Sequence, residues 1–152
     1  VSETYFIVVL IVRPLGDSHQ LLMGCRASGE YMGGTWQLIS GGIEPDETAW
    51  QAAIREMHEE TGLSPREFYR LSTLTRFYRS DNDSLNTAPM FCAMVEADAV
   101  VQLNSEHTAF DWVNIDQAES RLMWPSDCEA FREVRSVLLE GGLAKQSMRI
   151  PL

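Results

Sequence analysis

Cysteine is scarce in this 152-residue chain, and the three present, Cys25, Cys92 and Cys128, form no CxxC pair and sit in no Cys/His cluster. That spacing excludes a structural zinc site and leaves free thiols, as expected in a reducing cytoplasm. Long hydrophobic runs are absent too. Tyr5 to Val12 (YFIVVLIV) is apolar but too short to cross a bilayer, and it has neither a basic n-region nor a small-residue cleavage site. It reads as a buried strand. Positive charge is in deficit, with 12 Lys and Arg against 22 Asp and Glu, a formal net charge of -10 and a pI near 4.6. Such a surface repels nucleic-acid polymers and anionic membranes, so neither is an expected partner. A polyanionic small molecule would need bridging cations to bind here.

What is present suits one domain spanning residues 1–152. Hydrophobic residues make up 45% of the chain and aromatics 9%, enough to build a core. The run Thr4 to Arg13 reads as a central strand, and Gln20 to Arg26 should pair with it as a hairpin across a Pro-Leu-Gly-Asp turn. Thr35 to Ser40 is a short strand ending at Gly41-Gly42. A long helix follows, opened by Pro45, the acidic pair Asp46-Glu47 and the capping-box form Thr48-x-x-Gln51, and closed by Gly62. Trp50, Ala53, Ile54 and Met57 recur at helical spacing and mark its buried stripe. Further strands are expected over Phe68 to Tyr78, Pro89 to Glu96 and Phe110 to Asn114, with Ser80 to Ala88 as a polar loop. A second helix should start at Ser126, where Ser126-x-x-Glu129 has capping-box form, bury Phe131, Val134 and Leu138, and end at Gly141-Gly142. The pattern predicts an α/β (α+β) sandwich, a mixed central sheet with two main helices.

Within the first helix, Glu56, Glu59 and Glu60 stand at i, i+3 and i+4, so their carboxylates share an arc of roughly 100° on its flank. Like charges that close destabilise a helix unless something cationic neutralises them. Mg²⁺, or Mn²⁺, prefers such oxygen ligands and often completes its shell with substrate phosphates. That would also let an acidic protein hold a polyanion. Three glutamates alone fit a solvated helix face equally well. The stretch around them does not stand alone, however. From Gly41 to Leu63 it reads GGIEPDETAWQAAIREMHEETGL, which resembles the Nudix box at each defining position: Gly41, Glu47, Arg55, Glu56, Met57, Glu59, Glu60, Gly62 and Leu63.

The resemblance implies a Nudix-type α/β/α sandwich and a metal-dependent hydrolase of phosphoanhydride bonds. By that likeness Glu56, Glu59 and Glu60, with the Gly41 carbonyl, would bind metal, while Glu47 and Arg55 support them. An Arg55–Glu47 pair would brace the loop against the helix. Ser105-Glu106-His107, ahead of Phe110-Asp111-Trp112-Val113, resembles a segment that in several Nudix subfamilies supplies a Glu as metal ligand or general base. Glu106 is therefore a candidate base, with Glu59 or another box glutamate as the alternative. His58 and His107 read as surface or packing residues.

Arg26, Tyr31, Thr35-Trp36-Gln37-Leu38, the box, Glu106-His107 and Trp112 together look like the dihydroneopterin triphosphate and deoxynucleoside triphosphate pyrophosphohydrolases. On that likeness Arg26, Tyr31, Trp36 and Tyr78 are candidate substrate contacts, the aromatic rings stacking on a planar heterocycle. Core packing is an equal reading for Trp36 and Phe77. The expected reaction converts a (deoxy)nucleoside or pterin triphosphate to monophosphate and pyrophosphate with Mg²⁺. Dinucleoside polyphosphate or ADP-ribose cleavage, and a non-catalytic nucleotide-binding module, are the rival readings. Oligomeric state is left open. His58-Glu59-Glu60 is no HExxH zinc motif, because Gly62 stands where the second His would be. Asp81-Asn82-Asp83 opens like a calcium loop but continues with Leu85 and Cys92 at ligand positions.

Overall fold

A computed structural model describes all residues, Val1–Leu152. Its seven-stranded mixed sheet is organised by two long central strands. β1 (Ser2–Leu15) runs parallel to β6 (Ser84–Met94), pairing Val8 with Met90 and Leu10 with Cys92. On its other edge β1 turns at Gly16 into β2 (Ser18–Arg26), the expected hairpin, with Val12 opposite Leu21. β1 and β2 then diverge. The gap is taken by β3 (Trp36–Gln37), which pairs with β2, and β4 (Ile39–Gly42), which pairs with β1. β7 (His107–Asn114) lies on the far edge of β2, and β5 (Glu67–Arg79) borders β6.

Strand alternation divides the core in two. Ile7, Val9 and Ile11 of β1 face α1 (Ala49–Thr61), against Ala52, Ala53 and Met57. Val8, Leu10 and Val12 face the opposite way, onto Phe131, Val134 and Leu138. Those three lie on α3 (Pro125–Glu133) and the π-helical turn Val134–Leu139 that continues it. Buried on both faces, β1 reads as a continuous apolar run rather than as an alternation. Two short helices, α2 (Ile115–Ala118) and α4 (Lys145–Met148), complete the layers, and no helix is long and apolar enough to cross a membrane. The sandwich of sheet and two main helices matches expectation.

The ends of α1 are set locally. Thr48 caps it through a complete capping box with Gln51, and Gly62, at φ 74°, closes it in the left-handed conformation. Two expectations fail. Ser80 to Ala88 is not a loop: only Ser80–Asp83 turns, and Ser84–Ala88 is strand. Its polar residues disguised the pattern, because Ser84 and Asn86 are buried and satisfy each other, the Asn86 amide donating to Ser84 Oγ at 2.9 Å. Nor does Ser126 cap α3. Pro125, whose fixed φ suits the first helical position, starts the helix one residue earlier, and Ser126 Oγ instead accepts from Thr75 Oγ1 at 2.9 Å.

Phe131→Ala should lower unfolding free energy by ~3–5 kcal/mol in urea denaturation, because the ring is 2% exposed at the centre of the larger core. Thr48→Ala should lower it by ~1 kcal/mol, the typical loss of a helix cap.

Candidate active site

β4 ends in two glycines at the mouth of the loop that leads into α1. Gly41 leaves room for the Glu56 side chain: a Cβ there would lie 2.2 Å from Glu56 Cδ and displace that carboxylate. The loop is held to the helix by one guanidinium. Arg55 donates from Nε and Nη2 to the two oxygens of Glu47, at 3.1 and 2.6 Å, and from Nη2 to the Gly42 carbonyl at 3.0 Å. Glu47 also accepts from the Glu44 amide at 2.8 Å. The expected brace is thus bidentate. The Arg55 hydrogen bond, then the Glu44 amide, holds the Glu47 carboxyl below its usual range, and Arg55 is held more firmly protonated in return.

The third Arg55 nitrogen reaches the acidic flank, donating from Nη1 to Glu56 Oε1 at 2.9 Å and to Glu59 Oε2 at 3.2 Å. Glu59 stands out in solvent, with its side chain 56% exposed. Glu56 and Glu60 do not. Burial raises the Glu56 carboxyl despite Arg55, with the charges of Glu59 and Glu106 adding to the rise. Glu60 is 4% exposed and its Oε2 has no hydrogen-bond partner. Burial first, then hydrogen bonding to Glu106 and the charges of Glu56 and Glu106, push the Glu60 carboxyl up to about 10. A carboxyl raised that far keeps its proton at neutral pH, so without a cation Glu60 is neutral.

Whether these residues suit a divalent ion turns on that orphaned oxygen. In this unliganded arrangement no three acidic, histidine or cysteine side chains stand close enough together to hold a metal ion. The acidic side chains nonetheless form a hard-oxygen set in which Glu60 is protonated and partnerless at Oε2, while Arg55 occupies Glu56 and Glu59. Replacing the proton by a cation would satisfy the buried oxygen and relieve the mutual repulsion, so the chemistry fits Mg²⁺ or Mn²⁺.

Glu106 arrives from a loop that sequence patterning did not explain. The loop docks on the C-terminal end of α1, where the Gln102 amide donates to the Thr61 carbonyl at 2.9 Å. Asn104 then acts from both ends of its side-chain amide: Nδ2 donates to the Glu60 carbonyl and Oδ1 accepts from the Glu106 amide at 2.8 Å. One side chain therefore fixes the Glu106 backbone relative to Glu60. A lone Asn in a polar loop carries no pattern that would reveal this. His107, 3% exposed with its ring tilted against Phe110 at 4.9 Å, is a packing residue, and His58 lies exposed on α1.

Beside the acidic cluster a cleft of about 830 Å³ opens between β3, β5 and the start of α3. Arg26 belongs to both regions: it lines the cleft, and its charge lowers the Glu60 carboxyl against the larger upward effects. Its Nε donates to the Tyr31 carbonyl at 2.7 Å. Tyr31 and Tyr78 also line the cleft, each 55% exposed, and Phe6 meets Phe77 edge-on across 6.0 Å. Trp36 is not among the lining residues. It packs half-buried on the larger core with Arg121 over its ring at 5.2 Å. Gln37, Trp124 and Asp127, which sequence reading did not single out, are on the cleft wall. Trp124 directly precedes Pro125, and nothing in its spacing distinguishes it from a core residue.

Comparison with known proteins agrees with this fold. Over 121 residues, 75% of this chain, the sequence is 33% identical to an octanoyltransferase of Myxococcus xanthus. The match covers 32% of that protein, so the chain spans about a third of its length. An asymmetrical bis(5'-nucleosyl)-tetraphosphatase of Rattus norvegicus is 28% identical over 111 residues, covering 70% of this chain and 69% of that one. The solved E. coli dihydroneopterin triphosphate pyrophosphohydrolase superposes with a TM-score of 0.70 at 22% identity, over 87% of this chain and 96% of the other, a likeness of fold. The model of the NUDIX domain matches residues 4–134, which include β4, the braced loop, the glutamates of α1 and Glu106, and the chain belongs to the Nudix family.

Proposed function

We propose that this chain is a phosphoanhydride hydrolase that cleaves a (deoxy)nucleoside or dihydroneopterin triphosphate to the monophosphate and pyrophosphate with Mg²⁺. The observation that carries the reading is the buried, partnerless Glu60 oxygen amid Glu56 and Glu106, next to a cleft that shares Arg26 with the acidic cluster. Glu56, Glu59 and Glu60, with the Gly41 carbonyl, would hold the cation. When bound, it neutralises phosphate oxygens and lowers the pKa of an attacking water. Arg55 and Glu47 keep the loop and helix in register, and Arg26 meets the phosphate chain where the cleft joins the cluster. Glu106, held beside Glu60 by Asn104, takes the proton of a water in line with the leaving pyrophosphate. The net charge of -10 makes cation bridging necessary for any such substrate. Dinucleoside tetraphosphate hydrolysis is the second reading, favoured by the similarity to the rat tetraphosphatase.

Product identification with dATP, dihydroneopterin triphosphate, ADP-ribose and diadenosine tetraphosphate separates the two readings. Pyrophosphate should form from the triphosphates at the highest kcat/KM, and absence of triphosphate turnover would remove the first reading. Glu59→Gln should abolish Mg²⁺-dependent turnover with the fold intact, since this side chain is largely exposed. Unchanged activity in that variant would reject the site. Asn104→Ala should lower kcat on the order of 10²-fold, with a small change in KM, by releasing Glu106 from its position.

Stability should depend on pH with a definite sign. Folded Glu60 keeps its proton up to about 10, whereas unfolded it ionises near 4.5. The folded state therefore binds the extra proton between those values, and stability, fully present below the unfolded value, declines as pH rises through the window. In chelator, the melting temperature should fall from about pH 6 to about pH 9, Glu60→Gln should flatten the decline, and Mg²⁺ should stabilise most at the alkaline end. A pH-independent melting temperature in chelated wild-type protein would contradict the Glu60 assignment.

A further inference from the structure

Packing against Phe110 accounts for the ring of His107 and not for its nitrogens, which stand in opposite surroundings although the residue is 3% exposed. Nε2 has no hydrogen-bond partner. Its side of the ring lies flush with the backbone of β2 at Gly24, where a Cβ would come within 2.6 Å of His107 Cδ2 and 3.1 Å of Nε2. Nδ1 instead faces Asn104 Oδ1 at 3.3 Å. That oxygen also accepts from the Glu106 amide at 2.8 Å, while Nδ2 of the same side chain donates to the Glu60 carbonyl. The two backbone groups decide which end of the Asn104 amide is oxygen, because a flipped amide would set N–H against N–H at Glu106 and oxygen against oxygen at Glu60. An oxygen facing Nδ1 requires the imidazole proton there. An imidazolium would bury a second N–H with nothing to receive it, so the ring is neutral. Burial, then the charge of Arg26, lowers its pKa in the same sense.

Resting on the hydrolase reading above, we infer that His107 is a positioning residue for the candidate base Glu106: its Nδ1–H holds Asn104 Oδ1 from the buried side, and Asn104 ties the Glu106 amide to the end of α1. The Glu106 peptide is fixed from its other side as well, its carbonyl accepting from the Ala27 amide at 2.8 Å. The strand pairing is bulged at this point, with Arg26 opposite His107, Cys25 opposite Ala109 and Thr108 left over, and such a bulge re-aims the side chains around it. His107 lines no part of the cleft, so it acts on where Glu106 stands and not on where the substrate sits. Two substitutions separate this role from packing. Phenylalanine keeps a ring against Phe110 and removes the donor; asparagine discards most of the ring and keeps an N–H donor bonded to Cγ, as Nδ1 is. The two roles therefore rank the variants in opposite order.

Steady-state kinetics with Mg²⁺ reads that ranking on whichever triphosphate is turned over fastest. His107→Phe should lower kcat on the order of 10-fold with KM little changed, the effect of losing one buried hydrogen bond, whereas His107→Asn should keep most of kcat although it melts lower. In an Asn104→Ala background, His107→Phe should cost no further kcat, since the group it acts through is gone. Unchanged kcat in H107F, a loss in H107N as large as in H107F, or additive losses in the double variant would each overturn the inference while leaving hydrolysis standing. Nitrogen-15 NMR of the full chain reads the hydrogen bond without turnover. The His107 ring signals, assigned as those absent from H107N, should show a protonated Nδ1 and a bare Nε2, and Asn104→Ala should abolish that preference. A protonated Nε2 in the wild-type protein would overturn the inference, even if H107F fails to fold and whether or not any triphosphate is cleaved.

Discussion

Carboxylates crowded along one end of a helix repel one another, and the site is arranged around that repulsion. Arg55 is the internal counterion: a single guanidinium spans Glu47 on the loop and Glu56 and Glu59 on α1. It does not reach Glu60, which is buried and protonated beside Glu106. The braced loop and the glycine that admits the Glu56 side chain give this cluster its shape. The cation proposed for it takes the place of a proton.

Rigidity comes from the sheet beneath. α1 lies on Ile7, Val9 and Ile11 of a strand buried on both faces, so its acidic flank is carried by residues wholly withdrawn from solvent. On the other face α3 is tied to β5 by Glu133, which accepts from the Ser72 and Thr73 amides, and this holds the wall of the cleft. The divergence of β1 and β2 admits β3 and β4, and that brings Gly41 to the acidic cluster and Gln37 to the cleft. One topological feature therefore supplies both the phosphate end and the ring end of the proposed substrate path.

What sequence could reveal follows from the range of each signal. Thr48, Gly62 and the spacing of Glu56, Glu59 and Glu60 are local, and helix, cap and brace stand where they were expected. The first half of β6 was hidden because Ser84 and Asn86 bury polar groups that satisfy each other, which mimics a loop. Pro125 outweighed the capping form of Ser126. Trp36 has the composition of a stacking residue, and only packing against the larger core distinguishes the two roles. Asn104, Gln37 and Trp124 gain their meaning from contacts with segments distant in the chain, and no spacing in the chain carries that information.

The central claim, that a divalent cation displaces the proton held by buried Glu60, is tested most directly by titrating Mg²⁺ calorimetrically near pH 7 in buffers of different ionisation enthalpy. The account predicts saturable binding with release of roughly one proton per cluster, seen as a linear dependence of the apparent enthalpy on the buffer. Binding without proton release, or no binding at all, would contradict it.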